Sequence, residues 1–96
     1  MAIVLLIKEP SPYFSQKDEG HFFQWLQSIQ AVTNVVGTPN GIEVTLQNID
    51  KDTLYELIAI TSRYGIDKKC LAALCNSENE TWFKDKNKYW YKSIFE

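Results

Sequence analysis

The stretch "AVTNVVGTPNGIEVTLQ", residues 31–47, constrains the fold more than any other. Pro39 presets φ, and Asn40-Gly41 tolerates positive φ, so "GTPNG" is turn chemistry between two extended runs. Beyond it, apolar and polar residues alternate: Ile42, Val44 and Leu46 on one face, Glu43, Thr45 and Gln47 on the other. A period of two with one apolar face specifies a strand covered on one side only. Ala31–Val36 and Ile42–Gln47 are therefore expected to form an antiparallel hairpin. The first run does not alternate cleanly, which leaves its register open. A lone hairpin is not stable in water, so the rest of the chain must cover its apolar face.

Two helices can do so. Ser15 is an N-cap with Asp18 three residues on, and Asp18 and Glu19 load the first turn against the helix dipole. Phe22, Trp25, Leu26 and Ile29 follow at the spacing of one buried helical stripe. Gly20 in this helix costs about 1 kcal/mol against Ala, so it marks either a close contact or a later start. In the second helix, Asp50 is the cap, and Leu54, Leu57, Ile58 and Thr61 share a face. Arg63 stands in its last turn and Gly65 at the C′ position. Residues 67–75 are open. Asp67 caps a short helix carrying Leu71, Leu74 and Cys75, or Cys70–Cys75 is a buried strand; Ala72-Ala73 favours the helix.

At the front, residues 2–8 read as a buried strand in the centre of a sheet, since "AIVLLI" (2–7) is apolar throughout. Pro10 and Pro12 then impose a stiff loop that ends in Tyr13 and Phe14. At the back, Asn76, Ser77 and Asn79 are turn or cap residues. The i, i+4 pairs Trp90/Ile94 and Tyr91/Phe95 suggest a last helix over Asn87–Phe95. The order β, α, β, β, α and an undecided end gives an α+β fold: a small single domain over 1–96, with a central, mostly antiparallel sheet and helices packed on it.

The chain offers little to catalysis. His21 is the one histidine, and Asp18 beside it makes a salt-linked surface histidine the plain reading. The glycines form neither GxGxxG nor a phosphate loop, and no metal-ligand spacing occurs. Cys70 and Cys75 read as buried small hydrophobes, with no further Cys for a zinc site. No enzyme activity, metal or cofactor is expected. The apolar run 2–7 is too short for a signal peptide or a membrane helix, so a cytoplasmic protein with no membrane partner is expected.

The tail "WFKDKNKYWYKSIFE" mixes lysines with aromatics, as a base-stacking surface would. Yet the chain carries ten Lys+Arg against twelve Asp+Glu, for a net charge of −2. Nucleic-acid binders need a basic field, and a domain this small needs Trp82, Phe83, Trp90 and Phe95 for its core. A generic interaction module and a small RNA-binding domain remain the alternatives.

Residues 63–96, "RYGIDKKCLAALCNSENETWFKDKNKYWYKSIFE", resemble small bacterial immunity proteins of contact-dependent growth inhibition and related polymorphic toxin systems. The carriers are Arg63-Tyr64-Gly65-Ile66-Asp67, then Leu71 and Leu74, the Asn76–Asn79 turn, Trp82-Phe83 and the final Tyr89-Trp90-Tyr91-Lys92-Ser93-Ile94-Phe95. The resemblance implies a cytoplasmic protein without chemistry of its own. Such a protein neutralises the cognate toxin domain, often a nuclease, by covering its active site or an essential surface. No contact residues carry over from the family. Exposed acids beside aromatic anchors are the physical candidates for that contact. They occur at Tyr13, Phe14, Asp18 and Glu19, and again at Glu78, Glu80 and Trp82.

Overall fold

The computed structural model of the chain describes residues 2–8 and 13–96. Three strands, β1 (Ile3–Ile7), β2 (Val32–Thr38) and β3 (Gly41–Leu46), form one antiparallel sheet in the order β1-β3-β2. Helix α1 (Gln16–Ser28) links β1 to β2, and α2 (Lys51–Arg63) follows β3. A 3₁₀ segment (Lys68–Leu74) and two short helices, α3 (Glu80–Phe83) and α4 (Tyr91–Phe95), complete the chain. This is the α+β class. Most of the Pro10–Pro12 loop lies outside the described residues.

The hairpin forms with a tighter turn than its sequence suggests. Thr38 pairs with Gly41, so only Pro39 and Asn40 form the connection. The Thr38 hydroxyl donates to the Gly41 carbonyl at 2.8 Å and accepts from the Asn40 amide at 3.2 Å. Positive φ falls on Gly41 (138°) and not on Asn40. A Cβ at Gly41 would sit 2.7 Å from the Ile7 carbonyl oxygen, so β1 closes on the hairpin only against a glycine. A bulge lies between Val32 and Asn34, and it explains the poor alternation of β2. It sets Val32 opposite Leu46 and Val35 opposite Val44, both on the covered face although three residues apart.

One expectation fails at β1. The strand is at the edge of the sheet, and β3 is the central strand. Leu5 and Ile7 are buried, while Val4 and Leu6 point outward, 61 % and 46 % exposed. The physical reason is that helices cover one face only. A continuous apolar run suits a strand buried on both faces, but a chain this short lacks a second layer to bury it.

The helices follow their caps. The Ser15 hydroxyl accepts from the Asp18 amide at 3.1 Å. The Asp18 carboxylate reaches past Ser15 to accept from the Phe14 amide at 3.0 Å. Phe22, Leu26 and Ile29 are buried, and Trp25 half-buried donates from its indole to Glu56 at 2.9 Å. Gly20 lies inside α1, with open space where its Cβ would be. Asp50 caps α2 through the Thr53 amide at 2.8 Å. The far end closes with Ile66 donating to Thr61 and Gly65 to Ser62, the paired bonds of a Schellman motif, with Gly65 at φ 66°.

The end of the chain is helical but broken. Asp67 caps the 3₁₀ segment through the Lys69 amide at 3.0 Å, so 67–75 is not a strand. Cys70 and Cys75 are free and half-buried, not buried. The last helix spans Tyr91–Phe95 and does not begin at Asn87. Asp85 takes the amides of Asn87 (side chain) and Lys88 (carbonyl), and these turns hold the chain out of helix until Trp90. Trp90 and Ile94 are buried, and the core joins them to Phe83, Leu71, Leu74 and the apolar face of α2.

Candidate protein-binding surface

The N-terminus of α2 and the segment 76–85 enclose a groove of about 540 Å³. It is lined mainly by Asp50, Lys51, Glu78, Asn79, Trp82 and Asp85. Local hydrogen bonds fix its walls. Asn76 accepts from the amides of Glu78 and Asn79, and Asn79 accepts from the Asn76 amide, all at 2.9 Å. The Asn79 side chain also donates to the Leu74 carbonyl at 2.9 Å, tying the turn to the end of the 3₁₀ segment. These bonds present Glu78 outward, while α3 points the half-buried Trp82 back toward α2.

Trp82 belongs to an aromatic row. Its ring meets Tyr55 at 4.9 Å and Trp90 at 5.1 Å, and Tyr89 meets Trp90 at 5.1 Å. Trp90 is buried, whereas Tyr55 and Tyr89 are exposed, Tyr89 to 70 %. The Lys51 ammonium sits 5.1 Å from the Trp82 ring centre. Hydrogen bonds from Thr53 hold the Asp50 carboxyl below the usual aspartate range, so it is ionised at neutral pH. Asp50 also lines a second hollow with Asp52 and Glu56, which carries acids along the exposed side of α2.

A separate groove of about 430 Å³ lies between α1 and the end of α2. Phe14, Asp18, His21, Trp25, Arg63 and Tyr64 line it. The Tyr64 hydroxyl donates to the Asp18 carbonyl at 3.3 Å, and burial followed by the nearby Asp18 charge raises its pKa.

The expected residues divide between these places. Glu78 and Trp82 meet in the first groove, but Glu80 is exposed on α3 outside its lining. Asp18 lines the second groove. Tyr13 is half-buried with its ring 6.0 Å from Phe22, and Glu19 is exposed outside that lining. The sequence reading missed Asp50, Lys51 and Asp85. Asp50 has a sufficient explanation as a cap, and nothing in a linear pattern places it beside Glu78.

Among the described residues no hydrogen bond pairs a nucleophile with a base in either groove. Among the described residues no group of three or more His, Cys, Asp or Glu side chains is arranged to hold a metal. Burial, then the neighbouring Asp67 charge, pushes the Cys70 thiol up and away from the reactive thiolate. Among the described residues no helix is long and apolar enough to cross a membrane. No family model, curated protein or solved structure matches this chain.

Proposed function

We propose that this chain is a cytoplasmic immunity protein that neutralises the toxin domain of a contact-dependent growth inhibition effector, with the acidic, Trp82-floored groove as its contact. The groove carries the proposal. It sets Asp50, Glu78 and Asp85 around an accessible indole, with exposed Tyr55 and Tyr89 beside it. Protein interfaces concentrate their energy in such aromatic anchors within a polar rim. A nuclease toxin has a basic cleft because its substrate is polyanionic, so carboxylates can occupy the substrate's place and speed encounter. The resemblance of 63–96 to immunity proteins points the same way. An RNA-binding role has less support. Trp90 is 2 % exposed, and the tail lysines Lys84 and Lys88 lie over the protein's own Phe95 and Trp90 rings.

Calorimetric titration with the toxin domain encoded by the adjacent gene tests the reading. A one-to-one complex of nanomolar or tighter affinity is expected, with loss of toxin activity. Glu78→Lys, at an exposed side chain that accepts no hydrogen bond among the described residues, should weaken it on the order of 10-fold, with an unchanged unfolding midpoint. No complex with that domain overturns the proposal.

A further inference from the structure

The groove already holds a cation on its indole. Lys51 Nζ lies 5.1 Å from the Trp82 centroid, and among the described residues this ammonium has no carboxylate within ion-pair distance. The carboxylates instead face open volume. Asp85 spends one oxygen on the Asn87 amide, and Glu78 accepts no hydrogen bond among the described residues. A lysine tethered at the start of α2 thus occupies the ring but leaves the acids unused. Trp82 itself cannot swing away, because Tyr55, Phe83 and Trp90 pack around it.

We infer that the groove receives an arginine side chain of the bound protein, stacked on Trp82 in place of Lys51 and forked onto Glu78 and Asp85. The inference rests on the inhibitor reading for the source of that arginine. Three features select guanidinium over ammonium. It is planar and stacks on an indole, it is weakly hydrated and so enters a half-buried groove, and its donors reach two carboxylates at once. The volume of about 540 Å³ remains with Lys51 in place, so room exists beside the ring. Lys51 has a flexible stem on an exposed residue and can release its ammonium to water. In the free protein Lys51 then screens the groove against weaker cations.

The probes are the capped tripeptides acetyl-Gly-Arg-Gly-amide and acetyl-Gly-Lys-Gly-amide. Each is titrated at about 150 mM salt, where nonspecific attraction is screened. Nitrogen-15 spectra report through the Trp82 indole and the Glu78 and Asp85 amides. The arginine peptide should give saturable shifts at all three, at least threefold tighter than the lysine peptide. Lys51→Met should tighten the arginine peptide several-fold, and Trp82→Leu should abolish saturation at the Glu78 and Asp85 amides in a protein that still folds. Equal affinity for the two peptides overturns the inference, as does no saturable shift in Lys51→Met. If the arginine peptide fails while the toxin domain binds, the arginine site falls and the inhibitor reading stands. If the peptide binds in the groove and the toxin domain does not, the reverse holds.

Discussion

The Trp90 indole is buried on all sides and donates from Nε1 to the Phe83 carbonyl at 2.8 Å. It therefore joins α4 to α3 both by apolar area and by a hydrogen bond. Trp90→Ala should cost about 3–5 kcal/mol in denaturant unfolding. Trp90→Phe should cost less, about 1–3 kcal/mol, from the carbonyl left without a donor. Two glycines separate in the same assay. Gly20→Ala should stabilise by about 0.5–1 kcal/mol, because the helix is regular there and the added methyl meets open space. Gly41→Ala should destabilise, because the methyl meets the Ile7 carbonyl and φ is strained. The burial of Phe83 and Trp90 was legible from size and aromatic content alone. The Trp25–Glu56 bond was not, since it joins two helices whose facing depends on how both sit on the sheet.

Caps were the most legible feature at the level of elements, since Ser15, Asp50 and Asp67 each act within three residues. Asp50→Ala should cost about 1 kcal/mol, read as a lower unfolding midpoint. The pH dependence has a fixed sign. The Asp50 carboxyl is held lower in the folded state by its Thr53 hydrogen bonds. Its contribution is complete above the unfolded value of about 3.9 and fades as pH falls through the lower folded value. Wild type and Asp50→Asn, compared by thermal unfolding from neutral to acid pH, should therefore converge as that window is crossed. Two elements were less legible. The apolar run at 2–7 describes composition and says nothing about neighbours, so it could not separate a central strand from an edge strand. The delayed start of α4 depends on Asp85, whose side chain takes the Asn87 amide and whose carbonyl takes the Lys88 amide, both of which helix periodicity assigns to the helix.

Seen whole, the molecule is a single sheet with one covered face. Its stability should respond very differently to adjacent residues of β1. Leu5→Ala, on the covered face, should cost about 2–5 kcal/mol, while Leu6→Thr, outward-facing, should change stability by no more than about 0.5 kcal/mol. The acidic groove was legible only in halves. Glu78 and Trp82 stand near each other in sequence, but Asp50 and Lys51 reach them through the packing of α2 against the chain's last third. The sheet order has a consequence for synthesis. Ile3 pairs with Leu46, so the ribosome makes β1 roughly forty residues before its strand partner β3. At about 5–20 residues per second, "IVLLI" spends about 2–8 s without that partner. The hairpin β2–β3, by contrast, closes as soon as it emerges. The strand that seals the finished domain is thus its chief aggregation hazard while the chain is being made.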